Sequence, residues 1–356
     1  STRSTRRIIT VPHPNNREER IQTVDRILHV REIYERFALN CRKAYYPNKC
    51  LTIDEQLVGF RGKCPFKVYM ANKPDKHGIK IFLLVDSENF YVYSLSIYTG
   101  KVSNITEHNQ AMHVIEDLIA SLRTGHRITH DNFFTSIPEA LMLAERGHTM
   151  LGTIRKNKRD IPLELISTKN REVFSSLFAY CDNMTLVSYM AKKNLPVFLL
   201  TTENISSSVQ FNRRTLLLDG RYVPTRHFQQ RNPEPSGEGE TEAGAAMEED
   251  DEVPSNFRNM RRIKDSNGPI AGKEHKHKPF IILEYNRTKG GVDTVDQLVK
   301  KYSPFLKTRR WPFRIMQDLL ALAEINAYKL YSLKHNLNRK QEKRWDFLVN
   351  LSIDLI

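Results

Sequence analysis

The sequence predicts an α/β fold: a mixed sheet with flanking helices, interrupted by an inserted segment and flanked by helical regions. Three observations predict it. Between residues 51 and 154, β-rich runs and amphipathic helical runs alternate in a definite order. Residues 229–256 are too rich in Glu, Gly and Pro to be buried. Residues 312–333 carry the longest helical spacing of apolar side chains in the chain.

Residues 17–47 read as helix, because Ile21, Val24, Ile27, Leu28, Val30 and Ile33 recur at helical spacing. Residues 51–60, 79–85 and 91–98 are strand candidates joined by short turns, with Asn72-Lys-Pro-Asp75 as turn chemistry. The short run 66–70 is read as an extension of its neighbour. Val114, Ile115, Leu118, Ile119 and Leu122 share one helical face, and Gly125 is placed to end that helix. Residues 127–131 form a short strand. Ser136-Ile-Pro-Glu139 is a capping box, in which the Ser hydroxyl accepts the third helical amide and Glu reaches back. Residues 149–154 form the next strand. Three strands, helix, strand, helix, strand is the order of an RNase H-like fold.

Beyond residue 157 the pattern weakens. Residues 186–189 and 197–201 are strand candidates, 216–218 is a weak apolar run, and order returns at 279–285. A long structureless loop is unusual inside a compact domain, so the acidic stretch 229–255 belongs to an inserted, disordered segment. Gly290-Gly291 precede a helix start at Val292. The expected organisation begins with a partial helical region over 1–49 and the first part of the RNase H-like core over 50–157. It continues with the inserted segment over 158–278, the last part of the core over 279–302 and a second helical region over 303–356.

The 356 residues are 40% hydrophobic, enough for a buried core, and carry a net charge of +14. Residues 229–255 hold nine acids and one Arg, a net of −8, so the rest of the chain carries +22. That excess favours a polyanionic partner, since cations that neutralise phosphates release counterions. A basic surface kept for solubility gives the same count. Cys41, Cys50, Cys64 and Cys181 form no CxxC pair, so no disulfide framework and no structural zinc is expected. No apolar run reaches membrane-spanning length, so no membrane partner is expected.

The carboxylates carry the chemistry. Phosphodiester transfer by two metal ions, about 3.5–4 Å apart, needs several hard oxygen ligands at one point. RNase H-like enzymes take them from an early strand, a neighbouring strand and a later helix. Asp54 lies on the first strand and Asp131 ends the fourth. Asp293 and Asp296 sit three apart on one helix face, near its N-terminus. Plainer readings stand beside this one: Asp131 begins a turn, Asp293 and Asp296 are ordinary first-turn acids, and Asp86 rivals Asp54 as a strand acid. Lys307, Arg309, Arg310 and Trp311 combine cations with an indole, suited to phosphate contact and base stacking. A core Trp capped by surface Arg has the same sequence. The run 258–264 reads as a nuclear signal, a DNA-facing patch or a solvated run. His275 and His277 in a basic linker read as non-ligands, and the run 338–345 reads as an exposed helix.

Several blocks resemble the piggyBac family of transposases. Leu51-Thr-Ile-Asp-Glu-Gln56 with Phe60-Arg-Gly62 and Asn72-Lys-Pro74 is similar to the block around the family's first catalytic Asp. Asp131-Asn-Phe-Phe-Thr-Ser136 resembles the second, and Lys289-Gly-Gly-Val-Asp-Thr-Val-Asp-Gln297 the third. Arg309-Arg-Trp-Pro312 and Ile325-Asn-Ala-Tyr328 resemble the family's sequence C-terminal to that third block. His130 stands where relatives often have Cys, which reads as a packing change. The resemblance implies metal binding and catalysis by Asp54, Asp131 and Asp293 with Asp296 assisting, and it leaves Asp86 unassigned. It implies Mg²⁺, two ions, with Mn²⁺ as a substitute. The implied reaction is nicking of transposon ends, hairpin formation by the freed 3′-hydroxyl, and joining to target DNA at TTAA. The implied setting is nuclear, on double-stranded DNA, as a homodimer where the flanking regions suffice. The alternative of the same descent is a domesticated, catalytically idle DNA-binding protein. An RNase H-like nuclease acting on another nucleic acid is a third reading, from the pattern alone.

Overall fold

The computed structural model describes residues 25–100, 109–181, 183–203, 261–265 (backbone), 278–303, 305–337 and 343–355. The acidic stretch 229–255, the run 216–218, residues 274–277 and the run 338–341 lie outside them. The elements in chain order are α1 (Arg31–Ala44), β1 (Cys50–Gly59), β2 (Val68–Tyr69), β3 (His77–Asp86), β4 (Val92–Ile97), α2 (Gln110–Ile119), β5 (Arg127–His130), α3 (Ile137–Glu145) and β6 (Thr149–Thr153). Then come α4 (Leu163–Ile166), β7 (Ser176–Cys181), β8 (Met184–Lys192), β9 (Leu195–Thr201), β10 (Arg261–Asp265), α5 (Phe280–Thr288), α6 (Gly291–Lys301), α7 (Trp311–Lys334) and α8 (Arg344–Asp354). They divide into two compact units, Ser1–Arg123 with Thr288–Ile356, and Thr124–Arg287.

In the first unit β1 pairs antiparallel with β3, from Leu51 opposite Asp86 to Gly59 opposite Gly78. The other edge of β3 takes β2 and then β4, both antiparallel. The run 66–70, read as an extension of its neighbour, therefore holds a separate short strand at Val68–Tyr69. A tight turn, in which Met70 N donates to Lys76 O and Lys73 N to Met70 O, folds it back on the start of β3. Strand alternation sends Val58 of β1 and Ile79, Ile81, Leu83 and Val85 of β3 into one core. Val292, Val295 and Val299 of α6 and Ile315, Leu319, Leu322 and Ile325 of α7 cover it, the apolar stripes of two amphipathic helices. The helix read from residue 17 is described from Arg31. Ahead of it the Asp25 carboxylate accepts the Ile27 amide and pairs with Arg31 at 2.6 Å, closing a turn.

In the second unit β5 and β6 are parallel, joined through α3. The capping box is formed: Glu139 N donates to Ser136 Oγ at 3.3 Å and Ser136 N to Glu139 Oε2 at 3.5 Å. β6, β9, β8, β7 and β10 then pair antiparallel in that order. Residues 261–264 thus belong to an edge strand. Ile281 and Ile282 of α5 pack on Leu151, Val187 and Leu199. No helix among the described residues is long and apolar enough to cross a membrane.

Candidate active site

Thr52, Asp54 and Gln56 alternate onto one face of β1, opposite Val85, Leu83 and Ile81 of β3. Helix α6 starts on that face because Gly291 has no side chain: a Cβ there would meet Thr52 Oγ1 at 2.9 Å. Thr52 is itself fixed, with Oγ1 donating to Thr288 O at 2.6 Å and sharing a 2.7 Å bond with Ser87 Oγ. The helix then presents Asp293 and Asp296 on adjacent turns, with Val292 and Val295 buried beneath them. Asp293 is exposed and Asp296 half-buried.

Lys73 stands among these acids. Its Nζ donates to Glu55 O at 2.9 Å, lies 4.0 Å from Asp293 Oδ1, and its charge acts on both Asp54 and Asp296. Burial pushes the Asp54 carboxyl up to about 8, with the Glu55 charge adding to it and Lys73 opposing. Burial likewise raises Asp296 to about 6, against Lys73, Lys300 and a hydrogen bond from Gln56. The donors are carboxylate oxygens, the kind Mg²⁺ takes, and burial leaves two of them short of compensating positive charge. In donor chemistry the residues fit a hard divalent cation. Among the described residues, no three His, Cys, Asp or Glu side chains stand close enough together to hold a metal ion.

Asp131 belongs to the second unit, directly after β5. It does begin a turn: Oδ1 accepts from Phe133 N at 2.8 Å, and its carbonyl accepts from Thr135 Oγ1 at 2.8 Å. His130, wholly buried, locks that turn. Its Nδ1 lies 3.0 Å from Thr135 Oγ1 and its Nε2 2.9 Å from Glu139 Oε1. Burial works against a charged His130 ring, but the Glu139 charge and hydrogen bond outweigh it and leave the ring raised. His130 is therefore more than packing, since it ties the helix cap to the strand end.

Asp86 has a different environment. It is fully buried and accepts from Tyr45 Oη at 2.8 Å, Asn48 N at 2.7 Å, Glu88 N at 2.9 Å and Asn89 N at 3.4 Å. A carboxylate so engaged holds a turn together and has little left for a ligand. Lys307, Arg309 and Arg310 are exposed ahead of α7, and Trp311 is half-buried, edge-on to Phe66 at 5.0 Å between ring centroids.

A family model described as Transposase IS4 matches residues 8–230 and 244–328. A piggyBac transposase chain, from a cryo-EM synaptic complex with hairpin DNA, is 32% identical and superposes with a TM-score of 0.69. That match covers 93% of this chain and 57% of that one. The chain belongs to the piggyBac-type transposase family. Its mixed sheet with flanking helices is the RNase H-like fold expected from the order of elements. Human PiggyBac transposable element-derived protein 3 is 27% identical over 338 residues, which are 92% of this chain and 47% of that protein. The human Chimeric ERCC6-PGBD3 protein matches equally over 26% of its length. The chain thus spans about half the first relative and about a quarter of the second.

The transposase motifs acquire physical meanings. Gly62 and Arg309 are far apart in sequence, yet a Cβ at Gly62 would lie 2.7 Å from Arg309 O, and Lys63 bridges Arg310. Asn326 is structural: it donates to Val92 O at 2.9 Å and accepts Val92 N at 2.8 Å, completing β4 as a backbone neighbour would. The sequence pattern gives Lys73 only a turn, although it stands in the family-like Asn72-Lys-Pro74 block. The pattern also passes over Gln56 and Asp318, which share a buried 3.3 Å hydrogen bond between β1 and α7. Asp318 was detectable as an acid on the apolar stripe of α7.

Proposed function

We propose that this chain is the core of a DNA transposase that cleaves transposon ends and transfers strands at TTAA sites, with Mg²⁺ as its ion and Mn²⁺ as a substitute. The observation that carries the reading is the pair of desolvated carboxylates on β1 and α6, Asp54 and Asp296, gathered with Asp293 about Lys73. Asp54, Asp131, Asp293 and Asp296 would hold the ions, whose contribution is to activate water and neutralise charge on the phosphate. The seat of Gly291 on Thr52 keeps α6 and β1 in fixed register. The His130–Glu139 pair keeps the Asp131 turn from shifting. Lys73, anchored on Glu55 O, offers a cation to a phosphate oxygen beside the acids. Lys307, Arg309 and Arg310 would bind the DNA backbone, and the exposed part of Trp311 would stack on a base. Double-stranded DNA as partner, a homodimeric assembly and a nuclear setting accord with the net charge and with the DNA-bound state of the matched transposase.

A second reading, a domesticated DNA-binding protein, draws support from the matched human relative, which is named as transposable element-derived. A supercoiled plasmid bearing inverted repeats flanked by TTAA separates the readings. The transposase reading expects divalent-cation-dependent nicking that Asp131→Ala abolishes. DNA binding without nicking, by either protein, overturns it in favour of the second. Preferential cleavage of an RNA–DNA hybrid would assign another nuclease activity.

A further inference from the structure

Phe174 stands where the backbone calls for glycine or asparagine. Near β7 and in the β8–β9 turn, residues 170, 174 and 194 take φ of 57°, 70° and 59°. Asn170 and Asn194 have short polar side chains that tolerate this left-handed region, whereas a bulky ring is strained there. The strain is held in place by hydrogen bonds. Phe174 N donates to Met190 O at 2.7 Å, and Ser175 N and Oγ donate to Glu172 O at 3.2 and 2.7 Å. Behind the turn, the Arg171 guanidinium donates to Ser188 Oγ and Ser188 O at 2.7 Å and to Ser175 O at 3.3 Å. The position so fixed leaves Phe174 46% exposed. For folding alone Asn at 174 would serve better, since it relieves the strain and exposes less apolar surface. Strain kept under a side chain that stays half in water points to a use for that side chain.

The surroundings suit one use. Across β8 and β9, Met190 pairs with Pro196 and Lys192 with Leu195. Strand spacing therefore puts the Phe174 backbone about 10 Å from the hairpin end. Leu195 is 61% exposed there, and Lys192 and Lys193 are exposed beside it. The 171–175 turn adds one exposed acid, Glu172. An aromatic face takes a base and ammonium groups take phosphates. Paired bases keep their faces inside the stack, so a fixed ring at a protein surface favours unpaired ones.

We propose that Phe174, Leu195, Lys192 and Lys193 form a contact surface for unpaired nucleotides of DNA, the ring stacking on a base and the lysines binding phosphates. This surface is additional to Lys307, Arg309, Arg310 and Trp311, and it rests on the reading of the chain as a DNA-acting protein.

The test is fluorescence anisotropy of a labelled short oligothymidine and of a labelled duplex titrated with the full chain, with folding followed by circular dichroism. The titrations are repeated in protein carrying Arg309→Ala and Arg310→Ala, so that the surface ahead of α7 does not mask this one. Phe174→Asn, which relieves the strain, is expected to weaken oligothymidine binding about tenfold and to leave duplex binding unchanged. Phe174→Tyr, which keeps the ring, is expected to bind as wild type does. Lys192→Gln with Lys193→Gln is expected to reduce the slope of log affinity against log salt for oligothymidine by about 1.4. Wild-type oligothymidine binding by folded Phe174→Asn, an equal loss in Phe174→Tyr, or an unchanged slope in the lysine variant overturns the surface and leaves the DNA reading standing. Weakened self-association of Phe174→Asn with unchanged oligothymidine binding assigns the surface to a second copy of the chain and overturns it too. A wild-type chain that binds neither DNA removes the DNA reading and this surface with it. If Phe174→Asn fails to fold, Phe174→Leu decides on the same terms.

Discussion

Four donors converge on Asp86, and one backbone amide, that of Glu55, meets Asp54 at 2.7 Å. Removing the Asp86 carboxylate leaves four part-buried donors, two ahead of β1 and two in the turn after β3, without that acceptor. Asp86→Ala should therefore cost about 3 kcal/mol in urea unfolding. Asp54→Ala removes a desolvated carboxyl and should change stability by less than about 1 kcal/mol, or raise it. Equal losses would mean that the two acids are not distinguished by their surroundings. In sequence they are rivals, because both stand in apolar strand runs. The local signal is present all the same: Asp86-Ser-Glu-Asn89 follows a strand, and an Asp there accepts amides two and three residues on. Lys73 was not legible as a site residue, and Asp318 was legible only as an acid on the apolar stripe of α7. Their partners, Asp293 and Gln56, are distant in sequence and meet them only through folding.

Helices α5 and α6 carry the next scale of prediction. Gly290-Gly291 read in sequence as one helix start, but the two glycines are unequal. Nothing stands within 4 Å of a Cβ at Gly290, whereas at Gly291 Thr52 stands within 3.0 Å and is held by two buried hydrogen bonds. Gly291→Ala should cost about 1–3 kcal/mol, and Gly290→Ala should fall within about 0.5 kcal/mol, by urea unfolding. Helix α5 is tied to β5 by Arg127, which donates to Glu284 Oε2 at 2.6 Å. Burial pushes the Glu284 carboxyl up, but Arg287 and Arg127 outweigh it and hold the group below its ordinary 4.5. A carboxyl depressed in the folded state adds stability above its unfolded pKa and loses it as pH falls through the folded value. Thermal melts from pH 7 downward should show this loss beginning near 4.5, and Glu284→Gln should show a shallower decline. An unchanged pH slope in the variant would rule out the pair as a contributor. β1, β3 and β4 were legible because β-rich runs and turn residues coincide there, whereas β2 was read as part of its neighbour. β7 escaped notice because, like β3, it is buried without period-2 alternation, but its run has six residues where that of β3 has ten.

For the whole molecule, charge and family descent point the same way. A body carrying +22 outside the acidic stretch should bind DNA with an affinity that falls steeply with salt. Arg309→Ala with Arg310→Ala should reduce the slope of log affinity against log salt by about 2, measured by fluorescence anisotropy. An unchanged slope would place the DNA contacts elsewhere. The order of elements made the RNase H-like core legible. The acids on β1, after β5 and on α6 are proposed to act together in cation-dependent DNA cleavage. The most direct measurement is the rate of plasmid nicking in Mg²⁺ by the wild type and by Asp54→Ala, Asp131→Ala and Asp293→Ala. Each variant should lose at least about 10²-fold in rate with DNA affinity retained. Nicking at the wild-type rate by any of the three folded variants would contradict it.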